Sequence, residues 1–168
     1  LRERGDLKLR GEKRTVTVLF ADIRGFTPFV QKLDPEKVFE MLNEYFSVMV
    51  DVVFKYGGLL DKYIGDAIMV VYNVPLDQRY HELRAVLTGL EIQERILVLN
   101  EERVARNEPA ISAGIGVNTA EVVAGSLGAA ERLEYTVIGA GVNLAQRIES
   151  QTERGKLFIS ESTWLKVR

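Results

Sequence analysis

The stretch LLDKYIGDAIMVVY, residues 59–72, holds two short apolar runs on either side of a glycine and an aspartate. Short runs of branched and aromatic residues bounded by a Gly-Asp pair predict a β-hairpin. Gly65 supplies the backbone freedom that a tight turn requires. Asp66 is therefore expected at the tip of a stiff hairpin, with Lys62 on its first strand. A solvated turn carboxylate is the alternative interpretation of Asp66.

A second candidate carboxylate follows the apolar run TVTVLFA, residues 15–21. This run predicts a strand that is buried on both faces, and it ends at Asp22. The next five residues, Ile23, Arg24, Gly25, Phe26 and Thr27, predict a loop whose backbone N–H groups can hold phosphate oxygens. The alternative is that Asp22 only caps a turn.

The order of the elements predicts the fold. Asp34-Pro35 begins a predicted helix over 36–56, a second helix covers about 80–100, and a strand covers 110–117. The resulting β-α-β-β-α-β order indicates an α+β, ferredoxin-like (palm-type) core with both helices on one face of an antiparallel sheet. Extra C-terminal elements are predicted: strands at 121–125, 135–138 and 156–160, an arm at 126–134, and helices at 142–149 and from 160.

This topology makes the first strand and the hairpin neighbours, so Asp22 and Asp66 should approach each other. Two converging carboxylates repel unless a divalent cation lies between them. Together with a phosphate-holding loop, they are what a two-metal phosphoryl-transfer site requires.

Composition narrows the chemistry. The 168 residues carry a formal net charge of −2, with no cysteine and one histidine. The balanced charge argues against a general nucleic-acid binder. The lack of cysteine and the single histidine exclude disulfides, thiolate metal sites and a His-rich zinc site, so any metal must be held by oxygen atoms. No apolar run reaches membrane-spanning length, and no signal-peptide pattern is present. We expect a cytoplasmic domain, whose full-length protein could be membrane-anchored, and we expect residues 1–13 to be a linker from an upstream region.

Four motifs in order resemble the class III adenylate/guanylate cyclase catalytic domain: FADIRGFT (20–27), DKYIGDAIMVVY (61–72), GIGVNTAEVVAG (114–125) and YTVIGAGVNLAQR (135–147). Four motifs at workable spacing are more specific than any one alone. The resemblance assigns residues 14–168 to this domain. It implies conversion of a nucleoside triphosphate to its 3′,5′-cyclic monophosphate and pyrophosphate, two Mg²⁺ or Mn²⁺ ions, and a homodimer with composite active sites. An upstream sensor or regulatory domain is also expected.

The resemblance also implies roles for single residues. Asp22, Asp66 and the backbone carbonyl of Ile23 would bind metal, and the loop of Ile23, Arg24, Gly25, Phe26 and Thr27 would hold the triphosphate. Lys62 and Thr136 would select the purine, Asn143 would orient the ribose, and Arg147 would stabilise the transition state. From the residues alone, Arg147 could instead form a surface ion pair with Glu149 or Glu153.

The purine-selecting residues favour ATP. Lys62 can only donate, which suits N1 of adenine, and Thr136 can accept from the exocyclic amine. Guanine presents the opposite pattern, and guanylate cyclases typically carry glutamate in place of Lys62. Threonine at 136 is the pattern of a largely bacterial adenylate cyclase subgroup, whereas many relatives carry aspartate there. The alternatives are a guanylate cyclase, a catalytically silent cyclase-like regulatory module, and another palm-type enzyme.

Two further departures from the family pattern are Ala140, where an aspartate is common, and Ala120, where a glycine is common. A lysine with which the family grips the triphosphate would fall beyond Arg168, so a C-terminally truncated domain is expected.

Overall fold

Strand β1 (Glu12–Arg24) lies at the centre of a six-stranded sheet in the computed structural model, which describes residues 11–168. The other elements are, in chain order, α1 (Phe26–Val30), α2 (Pro35–Lys55), β2 (Leu59–Ile64), β3 (Ala67–Tyr72), α3 (His81–Ala105), β4 (Ser112–Ala129), β5 (Arg132–Ile138), α4 (Ala140–Ser150), β6 (Leu157–Ile159) and α5 (Glu161–Val167). The sheet order is β2-β3-β1-β4-β5, and the short β6 pairs in parallel with β4.

The predicted ferredoxin-like core is confirmed. Strands β2, β3, β1 and β4 are antiparallel neighbours, and α2 and α3 are the two long helices that connect them. Both helices contribute to the same apolar core, in which Tyr45 and Met49 of α2 and Ile92 of α3 are fully buried with Leu19 of β1.

The other face of the sheet has a core of its own. Successive side chains of a strand point to opposite faces. Val18 and Phe20 of β1 therefore lie in a second cluster with Met69 of β3 and Ala145 of α4. This second cluster explains why the β1 sequence is continuously apolar, as the sequence predicted.

The hairpin of β2 and β3 is also confirmed, with Gly65 at its turn in the left-handed region (φ 60°). The pairing register shifts between Leu60 and Lys62, so Asp61 forms a β-bulge. A bulge interrupts the ladder and changes where neighbouring side chains point.

The prediction for the C-terminal half was wrong between the predicted strand at 110–117 and the end of the arm at 126–134. Instead of two strands and an arm, β4 runs without a break from Ser112 to Ala129 and forms a hairpin with β5. Residues 126–134 have small and charged side chains that give little strand signal, and their conformation is set by backbone pairing between β4 and β5. Val137 of β5 packs in the second core, so the hairpin lies against that face of the sheet.

Two boundaries also differ from the sequence-based expectation. Most of the predicted linker, residues 1–10, lies outside the described residues, but β1 already begins at Glu12. Helix α3 continues to Ala105, beyond the predicted end near residue 100. Its last turn is held by Arg103, which is buried and forms an ion pair with Glu44 of α2 (Nη1–Oε2 2.6 Å). None of the helices within 11–168 combines the length and apolar character of a membrane span.

Candidate active site

Asp22 and Asp66 lie at adjacent strand ends. Asp22 is paired with Ala67 across the β1–β3 ladder, and Asp66 immediately precedes Ala67. Asp66 accepts a hydrogen bond from the backbone N–H of Ile23. Burial raises the pKa of the Asp66 carboxyl, and the nearby negative charge of Asp22 raises this pKa further. The structure thus brings together the two carboxylates that the sequence singled out.

The donor set fits a hard divalent cation. Asp22 Oδ1 is buried, and within residues 11–168 it forms an ion pair with Arg24 but has no partner in hydrogen-bond geometry. Over the same residues, no group of three histidine, cysteine or acidic side chains is arranged to hold a metal ion. The available ligands are therefore two carboxylates, and the resemblance adds the carbonyl of Ile23. Oxygen ligands of this kind suit Mg²⁺, which usually keeps several waters and binds substrate phosphates.

Arg24 turns inward, away from the loop that it begins. Its guanidinium contacts Asp22 (Nη1–Oδ1 3.1 Å) and Glu149 (Nη2–Oε1 2.8 Å), and it donates to the backbone carbonyl of Glu149. The guanidinium packs on Gly114 of β4, where any side chain would collide with it. Arg24 can therefore serve the predicted triphosphate loop through its backbone, while its side chain links Asp22 to α4.

Glu149 is buried beside Asp22. Burial raises the pKa of its carboxyl to about 8, and the interaction with Asp22 contributes in the same direction. The Arg24 guanidinium opposes this shift, but the combined effect of desolvation and a second carboxylate is larger. Because Glu149 faces Arg24, the alternative in which it forms a surface ion pair with Arg147 is wrong.

The predicted phosphate loop is shorter than expected. Ile23 and Arg24 are the last residues of β1, whereas Phe26 and Thr27 are the first residues of α1. Gly25 joins the two elements in the left-handed region (φ 74°), which favours glycine. A cleft of about 210 Å³ lies beside this turn, lined by the turn itself and by the cations Lys32 and Arg154. The positive charges of Lys32 and Arg154, next to the backbone of the turn at Gly25, suit an anionic ligand.

Lys62 and Thr136 lie close together in a polar cluster around Asp61, which we call the Lys62–Thr136 cluster. Thr136 Oγ1 donates to Asp61 Oδ2 at 3.0 Å, and Lys62 Nζ lies 3.4 Å from the same oxygen. Thr136 reaches this position because the β4–β5 hairpin lies against the second face of the sheet. The structure therefore brings together the two residues predicted to select the purine.

Asn143 and Arg147 are both exposed on α4, one turn apart. Glu149, two residues after Arg147, is buried against the sheet. Two residues correspond to about 200° around an α-helix, so Arg147 points away from the side of α4 that faces Asp22. The structure does not bring Arg147 to the Asp22–Asp66 pair of its own chain.

Asp61 and Glu149 are the site residues that sequence analysis missed. Asp61 lies in strand β2 directly before Lys62, a residue already assigned a role, and this signal was available. Glu149 gave no comparable signal, because one acid on an amphipathic helix is ordinarily solvated.

A palm-type sheet with paired carboxylates at the ends of two central strands is typical of metal-dependent phosphoryl-transfer domains. The chain belongs to the adenylate and guanylate cyclase catalytic domain family, whose model matches residues 10–167. The family assignment made from the four motifs is thereby confirmed, and the fold is that of cyclase catalytic domains.

Solved structures of both substrate types share this fold. The guanylyl cyclase Cya2 is 41% identical, with a TM-score of 0.90 over 94% of this chain and 80% of that chain. The adenylyl cyclase CyaB from P. aeruginosa is 35% identical, with a TM-score of 0.90 over 95% of this chain and 83% of that chain. Because the two TM-scores are equal, the backbone fold does not distinguish the purine.

An adenylate cyclase of Anabaena cylindrica is 37% identical over 156 residues, which are 89% of this chain and 30% of that protein. The chain spans 30% or less of the full-length curated relatives that lead the comparison.

Proposed function

We propose that this chain is the catalytic domain of an adenylate cyclase, which converts ATP to 3′,5′-cyclic AMP and pyrophosphate. The observation that carries the proposal is the meeting of Lys62 and Thr136 in one cluster, on a chain that also pairs Asp22 with Asp66. The Lys62–Thr136 cluster supplies a donor and an acceptor for the edge of adenine, and the Asp22–Asp66 pair supplies ligands for a metal–triphosphate.

The carboxylate pair supports a metal-dependent reaction. Asp22 and Asp66 would hold two Mg²⁺ or Mn²⁺ ions, together with the Ile23 carbonyl. When bound, such ions lower the pKa of the ribose 3′-hydroxyl and neutralise the charge of the triphosphate. The backbone around Gly25, with Lys32 and Arg154 at the adjoining cleft, would orient the phosphates.

The placement of α4 supports a homodimer with composite active sites. Asn143 and Arg147 are exposed on the side of α4 that faces away from their own Asp22. In a two-fold dimer, the same pair would reach the metal half-site of the partner, and two complete sites would form. Asn143 would orient the ribose, and the Arg147 guanidinium would stabilise the charge that develops on the phosphoryl oxygens.

Guanylate cyclase activity is the second candidate. Its support is the 41% identity to the guanylyl cyclase Cya2. A neutral threonine also discriminates less sharply than a carboxylate would, because a hydroxyl can both donate and accept. Lys62 argues against this candidate, since guanine presents an N–H donor at N1 rather than an acceptor.

The decisive experiment is a product assay on the full chain with Mn²⁺ and either ATP or GTP, analysed by mass spectrometry. We expect cyclic AMP and pyrophosphate from ATP, less cyclic GMP from GTP, and no product from an Asp22→Ala variant. Excess cyclic GMP would support the guanylate alternative. Absence of any cyclic nucleotide from the well-folded chain would overturn the proposal and favour a silent regulatory module.

Two further proposals concern the whole protein, and the greater length of the relatives supports the first of them. We propose that a sensor or regulatory domain controls this catalytic domain, and that the domain operates in the cytoplasm, where ATP is available. Assays of a longer chain that includes the neighbouring domains would test the first proposal directly.

A further inference from the structure

Asp61 is a buried carboxylate that the resemblance does not assign to any task. Its side chain is 1% exposed. One carboxyl oxygen accepts from Thr136 and lies near Lys62, while the other, Oδ1, is buried without a hydrogen-bond partner in residues 11–168. Burying a carboxylate to this degree costs free energy unless it is paired and hydrogen-bonded, so its contacts with Thr136 and Lys62 offset part of that cost.

The hydrogen bond to Asp61 fixes the direction of the Thr136 hydroxyl. A hydroxyl has one proton and two lone pairs, whereas an ionised carboxylate can only accept. The Thr136 hydroxyl therefore donates its one hydrogen bond to Asp61, and it can only accept a hydrogen bond from a ligand. Held in this way, Thr136 accepts from the exocyclic amine of adenine and repels the exocyclic oxygen of guanine.

The same carboxylate also orients Lys62. Its ammonium lies 3.4 Å from Asp61 Oδ2, so the two side chains form an ion pair that holds the Lys62 ammonium near Thr136. The remaining donors suit N1 of adenine, which accepts, and not N1 of guanine, which carries a proton.

We propose that Asp61 is a positioning residue for purine selection: it fixes Thr136 as an acceptor and Lys62 as a donor, and so favours adenine over guanine. This inference rests on the proposed function. Asp61 touches the two selecting residues and acts on the purine through them. The β-bulge at Asp61 is the local structure that places its side chain beside that of Lys62.

The test compares Asp61→Asn with the parent chain. Asparagine has the same shape, but its amide can donate to Thr136, which releases the hydroxyl proton toward the ligand. We expect the ratio of kcat/KM for ATP to that for GTP to fall about tenfold, the typical effect of one mispaired hydrogen bond. A purely structural role would instead lower both kcat/KM values together and leave their ratio unchanged.

Binding without turnover provides an independent readout. 3′-Deoxy-ATP and 3′-deoxy-GTP lack the attacking hydroxyl, so their dissociation constants can be measured by calorimetry whether or not the chain cyclises nucleotides. We expect the preference for 3′-deoxy-ATP to decrease in Asp61→Asn to a similar extent. Failure of cyclisation with a preserved shift in binding would overturn the proposed function alone.

A double-mutant cycle identifies the route of the effect. Thr136→Val removes the hydroxyl, so adding Asp61→Asn to it should change the purine ratio only by the part that acts through Lys62. Thr136→Ser, which keeps a hydroxyl, should retain most of the preference. If Asp61→Asn is unstable, Asp61→Ala removes both carboxyl oxygens and should also lose preference. An unchanged ratio in the folded Asp61 variants would overturn the inference.

Discussion

Complementation between two inactive variants tests whether Asp22 and Arg147 act in the same active site from different subunits. An Asp22→Ala chain lacks a metal ligand, and an Arg147→Ala chain lacks the transition-state cation. In the proposed dimer, each homodimer has two broken sites, whereas the heterodimer has one site with both residues intact and one with neither. The α4 geometry predicts this arrangement, because Arg147 points away from the Asp22 of its own chain.

The expected magnitude follows from random pairing of equal amounts of the two chains. About half of the dimers are heterodimers and one of their two sites is intact, so about a quarter of the parent activity per site should return. Each variant alone should be at least about 10³-fold less active, by analogy with other phosphoryl-transfer arginines and metal sites. The assay is cyclic AMP formation with Mn²⁺ after the chains have been mixed and allowed to exchange.

Two controls sharpen the result. Mixing Asp22→Ala with Asp66→Ala should restore nothing, because both changes damage the same half-site. Adding excess Asp22→Ala/Arg147→Ala chain to the parent should suppress its activity, since both sites of that heterodimer are broken. If the mixture of Asp22→Ala and Arg147→Ala remains inactive although heterodimers form, Asp22 and Arg147 do not act across an interface. The same conclusion follows if the excess double variant leaves parent activity intact.

Three further predictions concern packing and charge. Gly116→Ala should lower the free energy of unfolding, measured by thermal or denaturant unfolding, by about 1–3 kcal/mol, because the added methyl would lie 2.6 Å from Glu149 Cα. Gly139→Ala is the control: its methyl would lie 3.4 Å from Val122 Cγ1, an ordinary contact, and should have little effect. In the metal-free chain, the raised pKa of Glu149, about 8 against the usual 4.5, means that the folded state binds its proton more tightly. Its contribution to stability is present below about pH 4.5 and is lost as pH rises through about 8, so Glu149→Gln should flatten the fall in Tm over that window; an equal fall in both proteins would contradict the assignment. Mn²⁺ affinity measured by electron paramagnetic resonance should rise with pH across the acidic range, because burial and Asp22 raise the pKa of Asp66 and its proton competes with the metal; a pH-independent affinity would exclude Asp66 as a ligand.

The sequence was most informative where local pattern and chemistry coincide. The hairpin of residues 59–72 and the strand before Asp22 were predictable because periodicity and turn residues are local properties. Their topology then predicted that Asp22 and Asp66 would approach each other, and the structure bears this out.

The remaining site features depend on distant contacts. The inward turn of Arg24 depends on the absence of a side chain at Gly114, ninety residues along the chain. Likewise, the bond between Asp61 and Thr136 exists only because the β4–β5 hairpin lies against the sheet face, although its sequence resembles a polar arm. Neither contact can be predicted from the residues that are neighbours in the sequence.

Strand β4 pairs with a residue of the Asp22–Asp66 pair and with a residue of the Lys62–Thr136 cluster, so it connects the two half-sites of one subunit. Its Gly114 is paired with Asp22, while its Gly125 is paired with Thr136 on β5. A continuous hydrogen-bonded strand flexes little along its length, so the two half-sites of one subunit should move together as one rigid unit. In a two-fold dimer, a small tilt between subunits would then open or close both composite sites in step. A regulatory domain would need only to change that angle, without altering the interior of either subunit.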